Sequence, residues 1–275
     1  MENFFNFYQH LPEKINPVVF QMGGFKVGWY SLMYLVAFLV VYAILSYRIK
    51  KKEANLSLDD LVDFLFYAFW GMIIGARLGY VLFYNFTFFL HHPLNIISPY
   101  DFSSGRFTGI SGMSYHGGLI GIILASWYFS RQKKINFWKL SDFVIPAVPA
   151  GYFFGRIGNF LNGELFGRIT ESHWGMFFSA GGNFLRHPSQ IYEAFFEGIV
   201  LFVFLFFLRN RKELGGHFLE IYILGYGIFR FFIEFFRQPD SQIGFVLGLT
   251  LGQILSLAMI LSAFLIFIFR KKRYN

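Results

Sequence analysis

The chain has 275 residues, of which 55% are hydrophobic and only 15% are charged, and its mean hydropathy is +0.48. Soluble domains contain about 25% charged residues, so this composition excludes an ordinary soluble protein. The absence of cysteine excludes disulfides, thiolate metal sites and a cysteine nucleophile of the protein's own. The net charge of +8 is compatible with nucleic acid or anionic lipid as a partner until the charges are placed along the chain.

Seven apolar stretches are long enough to cross a membrane, which requires about 20 residues of helix. They lie near 27–47, 61–85, 112–130, 138–157, 189–208, 216–236 and 244–269. Residues 1–20 lack the basic region followed by a continuous apolar core of a signal peptide, so we expect residues 1–26 to form an external arm. In the last span, Gly244, Gly248, Gly252 and Ser256 recur every four positions, as in closely packed helices in lipid. The pattern predicts an all-α polytopic membrane protein with a single membrane-embedded domain.

Basic residues follow the first, third, fifth and seventh spans. The four clusters are Arg48, Lys50, Lys51 and Lys52; Arg131, Lys133, Lys134 and Lys139; Arg209, Arg211 and Lys212; and Arg270, Lys271, Lys272 and Arg273. Because basic loops remain in the cytoplasm, this placement predicts an N-terminus outside and a C-terminus in the cytoplasm. Charge spread over four short loops is a topology signal, and it argues against nucleic-acid binding.

Two longer connections, 86–111 and 158–188, fall on the predicted outer side. The first contains Pro93, Pro99, Ser103, Ser104 and Gly105, and it is too polar to span. Connections of this length in a compact fold usually carry function, so we expect the working side to be the outer one.

The segment from Gly155 to Arg168 places polar residues at the outer end of the fourth span. It contains Arg156, Asn159, Asn162, Glu164 and Arg168 together with four glycines, including Gly167. Glycine lets a backbone approach a ligand closely, and arginine binds phosphate oxygens through two parallel N–H groups. We interpret the segment as an anion pocket at the depth of a lipid headgroup. The alternative is a polar helix end with ordinary capping.

The sixth span carries Tyr226, Arg230 and Glu234 at intervals of four, which places them along one helix face. An ionisable residue inside a span is costly and therefore a functional candidate. The alternatives are that Arg230 binds a buried anion or that it only forms a structural ion pair with Glu234.

Other polar residues in or near the spans have both functional and structural interpretations. His116 can exchange a proton near neutral pH, and we expect the flanking Gly117 and Gly118 to give it access. The alternative is an interface residue, which a single histidine at a span end more often is. The Trp29-Tyr30 pair alone fits an aromatic belt.

Spacing alone does not assign a role to three further charged residues, Arg77, Glu193 and Glu197. They either form ion pairs with one another or belong to the functional site. Ser189, after Arg186-His187-Pro188, is a candidate helix cap. The seven histidines show no metal-ligand spacing, so we expect no metal and no cofactor.

These motifs, in this order, resemble the prolipoprotein diacylglyceryl transferase family over essentially the whole chain. The resemblance is carried by GRxGNFxNGExxGR at 155–168, Trp29-Tyr30, His116-Gly117-Gly118-Leu119, Arg186-His187-Pro188-Ser189-Gln190, and Tyr226 to Glu234 followed by Phe235-Phe236-Arg237. It implies a seven-span enzyme of the bacterial inner membrane whose active site faces the outer side. It also implies transfer of diacylglyceryl from phosphatidylglycerol to the lipobox cysteine of a prolipoprotein, with a thioether and glycerol-1-phosphate as products.

The resemblance also implies roles for individual residues. His116, Arg230 and Tyr30 would be catalytic, with His116 as the base that generates the substrate thiolate and Tyr30 lining the pocket. Lipid and phosphate would contact the remaining set: Arg156, Asn159, Asn162, Glu164, Gly167, Tyr226 and Glu234. In that set Arg156 would hold the phosphate with Arg230, the asparagines would orient the headgroup, the glutamates would position the arginines, and Gly167 would permit close approach.

Two other classes of protein remain as alternatives. A small anion or lipid transporter could line a path with Arg156, Arg230 and Glu234, but transporters tend to have internal repeats, and no convincing repeat relates the two halves of this chain. A polytopic scaffold without chemistry does not explain the polar outer motif.

Overall fold

A computed structural model describes residues 2–22, 25–98, 100–101, 106–107, 112–239, 244–246 and 248–274. The described chain is mostly helical, with three short antiparallel hairpins. It divides into two compact units, Met1–Tyr47 with Ser141–Asn275, and Arg48–Leu140.

The first unit begins with the predicted arm. The arm consists of helices α1 (Glu2–Gln9) and α2 (Leu11–Lys14) and a hairpin of β1 (Val18–Met22) with β2 (Phe25–Gly28). The helical part of the arm packs on the 158–188 connection. There the amide of Phe177 donates to the carbonyl of Gln9 at 2.7 Å, and the ring of His10 stacks on that of Phe177. The arm leads directly into α3 (Trp29–Lys50), which ends in the first basic cluster.

The predicted fourth span is helical but not uniform. It comprises α7 (Phe137–Val144), a 3₁₀ turn (Ile145–Ala147) and α8 (Val148–Leu161). Proline cannot donate the backbone hydrogen bond of an α-helix interior, and Pro146 lies in the 3₁₀ turn while Pro149 lies in the first turn of α8. The irregularity therefore coincides with these two prolines.

The predicted fifth span contains α9 (Ser189–Glu193), a π-helical segment (Ala194–Val200) and α10 (Leu201–Leu208). Gly198 allows the π-helical segment to approach α8, because a Cβ atom there would lie 2.8 Å from Cβ of Phe153. A 3₁₀ turn (Lys212–Leu214) then leads to α11 (Phe218–Ile233). Leu201, Leu205 and Phe218 form a buried cluster between α10 and α11.

The prediction that the last span begins near residue 244 is wrong. Strands β5 (Phe245–Val246) and β6 (Leu249–Thr250) form a hairpin, and α12 (Leu251–Tyr274) begins only after it. Gly244 and Gly248 have φ values of +65° and +78°, which are not helical. They lie next to the strands of this hairpin and therefore do not belong to a row of small residues on a helix. Thr250 and Gln253 bond reciprocally to each other's backbone amides, which fixes the start of α12.

The second unit is built on two closely packed helices, α4 (Leu58–Phe83) and α6 (Tyr115–Gln132). Ser57 and Asp60 form a capping box at the start of α4. Glycines on both helices make the close approach possible, and a Cβ atom on Gly79 would lie 2.8 Å from Cα of Gly117.

Short elements connect α4 to α6. They are α5 (Phe86–His91), a 3₁₀ turn (Pro93–Ile96) and a hairpin of β3 (Tyr100–Asp101) with β4 (Arg106–Phe107). Four of the five residues named for the predicted turn-rich connection, Pro99, Ser103, Ser104 and Gly105, lie outside the described residues.

Four helices are long and apolar enough to cross a membrane, by length and composition alone and within the described residues. They are Trp29–Lys50, Leu58–Phe83, Ser189–Leu208 and Leu251–Arg270. The other three predicted spans fall on α6, on α7 with α8, and on α11, which are helices but do not meet the same criterion. The predominantly helical fold is confirmed, and the count of seven spans stays a prediction.

Candidate active site

The candidate site lies in the first unit, where the end of α8 and the turn that follows it meet α9 and α11. Helix α8 ends at Leu161, Asn162 is its C-cap, and Gly163 reverses the chain with a φ of +66°. The turn is held against α9, because Gln190 Nε2 donates to the carbonyl of Glu164 at 2.6 Å. Ser189 Oγ donates to the carbonyl of Leu165 at 3.0 Å, so the prediction that Ser189 caps its own helix is wrong.

Arg156 is fixed from three sides. Its Nε donates to the hydroxyl of Tyr152 at 2.7 Å, its Nη1 donates to Oδ1 of Asn159 at 3.0 Å, and Nε lies 2.8 Å from a carboxylate oxygen of Glu193. Asn159 in turn donates to the carboxylate of Glu164 at 2.9 Å. The fourteen-residue motif therefore forms a chain of polar contacts from Arg156 through Asn159 to Glu164.

Arg230 reaches the carboxylate of Glu193, the partner of Arg156, from α11. Its Nη1 lies 3.1 Å from Glu193 and its Nη2 lies 3.1 Å from Glu234, so it pairs with its own helix and with α9. Arg237 adds a third guanidinium, 3.6 Å from the other oxygen of Glu193. The pairing of Arg230 with Glu234 agrees with the spacing of four residues.

Glu193 is thus the shared counter-ion of the cluster, a role that its spacing in the sequence did not reveal. Its side chain is fully buried, as is that of Glu197. Glu197 accepts a hydrogen bond from the Tyr152 hydroxyl, and the hydroxyls of Tyr152 and Tyr226 lie 3.5 Å apart. An acidic residue within an apolar span was the only available signal for either glutamate.

Asn162 and Gly155 differ from the tightly paired residues around them. The Oδ1 atom of Asn162 is buried and has no hydrogen-bond partner among the described residues. Apart from its own helix backbone, no atom of the described residues lies within 4 Å of where a Cβ of Gly155 would be, so α8 is open to close approach at this point.

Gly167, in contrast, lies against other segments of the chain. Its amide donates to the carbonyl of His187 at 2.8 Å, and a Cβ atom would collide with the carbonyl oxygens of His187 and Phe236. Arg168 donates to the carbonyls of Arg237 and Glu234 and holds the same junction. The close approach that Gly167 permits is between the 163–168 turn and the end of α11.

His187 lies at this junction, outside the apolar helices. Its Nδ1 is 3.2 Å from the hydroxyl of Tyr192, and its ring packs edge-on against Phe236. Desolvation by partial burial lowers the pKa of the imidazole below its usual 6.5.

Tyr30 contacts the motif through Gly158. A Cβ atom on Gly158 would lie 3.3 Å from the Tyr30 ring, so the glycine allows α3 and α8 to approach each other. The Tyr30 hydroxyl is 3.0 Å from that of Tyr34 on the next turn of α3.

His116 belongs to the second unit, in the first turn of α6. The His116 side chain is exposed. Ser114 caps the helix, because its Oγ accepts a hydrogen bond from the amide of Gly117 at 3.3 Å. Gly117 and Gly118 are buried against α4, so the expectation that they give the histidine access is wrong.

Arg77 does not pair with Glu193 or Glu197 among its described contacts. It donates instead to the backbone carbonyls of Asn95, Ile96 and Gly112 within the second unit. Among the described residues, no group of three or more acidic or histidine side chains could hold a metal ion.

The chain is similar to known proteins over nearly its whole length. The family model for prolipoprotein diacylglyceryl transferase matches residues 17–269. A phosphatidylglycerol–prolipoprotein diacylglyceryl transferase of Chlorobaculum tepidum is 48% identical over 99% of this chain and 96% of the relative. Relatives of the same name from Campylobacter hominis and Geobacter sulfurreducens are 46% and 45% identical, over 94% and 90% of this chain and 92% of each relative. The chain therefore belongs to the prolipoprotein diacylglyceryl transferase family.

Proposed function

We propose that this chain transfers the diacylglyceryl group of phosphatidylglycerol to the lipobox cysteine of a prolipoprotein. Family membership supports the activity. In the reaction the cysteine thiolate attacks the glyceryl carbon that carries the phosphate. A carbon–sulfur bond forms while the carbon–oxygen bond breaks, and the electron pair leaves with glycerol-1-phosphate. The missing cysteine of the chain fits this scheme, because the reactive thiol arrives with the substrate.

The observation that supports the site best is the convergence of Arg156 and Arg230 on Glu193. Each guanidinium has five N–H donors, and the contacts described above occupy only part of them. The phosphate group gains negative charge as the carbon–oxygen bond breaks. Positively charged donors that are already fixed in position stabilise such a transition state without reorganisation. The two arginines would therefore bind the phosphate and stabilise the leaving group.

The neighbouring residues would orient the lipid and the arginines. Asn159 and Asn162 would bind the headgroup, and the unsatisfied Oδ1 of Asn162 is suited to accept from a glycerol hydroxyl. Glu234 would position Arg230 directly, and Glu164 would position Arg156 through Asn159.

The tyrosines and Gly167 complete the proposed site. Tyr30 and Tyr226 would line it, from α3 and α11 respectively. Gly167 would keep the 163–168 turn close to α11.

His116 would accept the proton of the substrate thiol, since the thiolate is the competent nucleophile. An exposed imidazole at the start of α6 is accessible for this role. The alternative acceptors are the bound phosphate or a carboxylate. We expect His116→Gln to lose transfer activity between pH 6 and 8, and near-full activity in this range would refute the assignment.

The proposed site would face the outer side of a bacterial inner membrane, in a single domain with seven spans, an N-terminus outside and a C-terminus in the cytoplasm. The natural absence of cysteine allows a direct test by single substitutions. A membrane-impermeant maleimide should label Ser172→Cys in intact cells and label Lys51→Cys only after permeabilisation. The reverse pattern would refute the orientation.

The activity is tested with labelled phosphatidylglycerol and a lipobox peptide. We expect transfer by the wild type, none to a peptide with serine in place of cysteine, and none by Arg156→Ala or Arg230→Ala despite normal membrane insertion. Arg211→Ala, which removes an exposed arginine of a basic cluster, is the matched control and should remain active. Turnover by the first two arginine variants would refute the phosphate-binding role. Anion flux across vesicles without any transfer would support a transporter instead.

A further inference from the structure

Helix α12 packs against α11 in the opposite direction and reaches the candidate site at its first turn. Gly227, in the middle of α11, lies against Ser256 and Ile260 of α12. At the end of α11, the carboxylate of Glu234 occupies the space in which a side chain of Gly252 would lie. The lack of a side chain at Gly252 is therefore what accommodates this carboxylate.

The first turn of α12 is held firmly in place. The β5–β6 hairpin leads directly into it, and Thr250 and Gln253 form the reciprocal hydrogen bonds of a capping box at 3.0 and 3.2 Å. Both capping side chains are buried. Gly252 lies between them and cannot move away without breaking this cap.

The three atoms nearest to a methyl group added at Gly252 would all belong to the carboxylate group of Glu234. The end of a flexible side chain yields more easily than a capped helix, so the carboxylate would move. The same carboxylate lies 3.1 Å from Nη2 of Arg230. The substitution would thus alter the ion pair and leave the fold intact.

We propose that Gly252 is a positioning residue for Arg230, because it provides the space in which Glu234 holds the guanidinium toward the phosphate of phosphatidylglycerol. This inference rests on the proposed function. It adds α12 to the elements that shape the site, although no residue of α12 belongs to the charged cluster described above.

The test is the Gly252→Ala variant of the full-length protein, purified in detergent and assayed for transfer from phosphatidylglycerol to a lipobox peptide. We expect kcat/KM to fall at least about tenfold, which corresponds to about 1.4 kcal/mol of lost transition-state stabilisation. The inhibition constant of the product glycerol-1-phosphate should rise, while the midpoint of thermal unfolding stays at the wild-type value. A purely structural role would shift the midpoint and leave the inhibition constant of the folded fraction unchanged.

Two controls and one rescue complete the experiment. Ser256→Ala removes only the hydrogen bond that Ser256 Oγ donates to the Gly252 carbonyl at 2.7 Å, and it leaves the space beside the Glu234 carboxylate unchanged. Gly227→Ala crowds the same helix pair away from Glu234. Both variants should keep wild-type kcat/KM per folded molecule. Glu234→Asp shortens the acidic side chain by one methylene group. In combination with Gly252→Ala it should restore room for the methyl group. The kcat/KM of the double variant should therefore be higher than the value obtained by multiplying the reductions of the two single variants.

A Gly252→Ala variant with the kcat/KM and the glycerol-1-phosphate inhibition constant of the wild type would overturn the inference. A double variant whose kcat/KM is reduced by the product of the two single reductions would overturn it as well. If Gly252→Ala does not fold, the double variant decides: recovery of folding and transfer supports the contact, and no recovery overturns it. Absence of transfer by the wild type would instead refute the proposed function itself.

Discussion

Replacing Glu193 by glutamine removes one negative charge from the point where the side chains of Arg156 and Arg230 meet, close to a third arginine, Arg237. The carboxylate lies 2.8 Å from Arg156 and 3.1 Å from Arg230, and its side chain is fully buried. Glutamine has nearly the same shape, so the variant creates no cavity and leaves two guanidinium groups without their shared counter-ion. Removing one partner of a buried ion pair costs about 3–5 kcal/mol. We expect the free energy of unfolding to fall by about this amount.

Transfer activity should fall as well. The two guanidinium groups would repel each other and lose the positions from which they are proposed to bind phosphate. A loss of about 1.4 kcal/mol of transition-state stabilisation already lowers kcat/KM about tenfold. We therefore expect at least this reduction per folded molecule, measured with labelled phosphatidylglycerol and a lipobox peptide, together with a lower midpoint of thermal unfolding in detergent.

Glu197→Gln is the matched control. Glu197 is equally buried and lies four residues further along the chain, but its hydrogen bond comes from the Tyr152 hydroxyl, which a glutamine carbonyl can still accept. Its loss of stability should not exceed the roughly 1.5–3 kcal/mol of a hydrogen bond to a charged group. Equal losses in the two variants, or an unchanged Glu193→Gln, would refute the argument that shared ion pairing organises the cluster.

Three further predictions concern stability. Gly167→Ala should lower the midpoint of thermal unfolding, because crowding a packed junction costs about 1–3 kcal/mol, whereas Gly155→Ala, with open space at its Cβ position, should not lower it. Arg77→Met leaves backbone carbonyls without this donor, at a cost of about 1–3 kcal/mol for each one left unsatisfied, and limited proteolysis should cut the 92–98 segment faster. Because burial lowers the pKa of His187, the folded state binds fewer protons than the unfolded state below about pH 6.5. Stability should therefore decrease from pH 7.5 to 5.5, and less steeply in His187→Gln; equal slopes would contradict this assignment.

Local sequence was sufficient to place the long apolar helices and the main polar motif, but not the short helices of the arm and of the 86–111 connection. Apolar runs and basic clusters are short-range patterns, and each of the seven predicted spans contains a helix, although the last one begins with the β5–β6 hairpin. The spacing of Arg230 and Glu234 indicated an ion pair because residues four apart lie on one helix face. The Gly155–Arg168 segment contributes Arg156 and Asn159 to the polar cluster, as its density of polar residues at a span end had indicated.

The partners of the buried charges depended on tertiary packing. Glu193 bridges residues on α8 and α11, and its sequence neighbours carry no sign of either contact. Arg77 instead binds backbone carbonyls, which have no sequence signature at all. Glycine was equally ambiguous, because its spacing does not tell whether the missing side chain admits a ligand, a neighbouring helix or a turn.

Gly117 and Gly252 illustrate this last point. Gly117 admits helix α4, and Gly252 admits a carboxylate from α11. A pattern of apolar residues reports only which face of a segment is buried. The atoms that occupy the space beside a glycine or a buried charge come from distant parts of the chain, and only the folded arrangement brings them there.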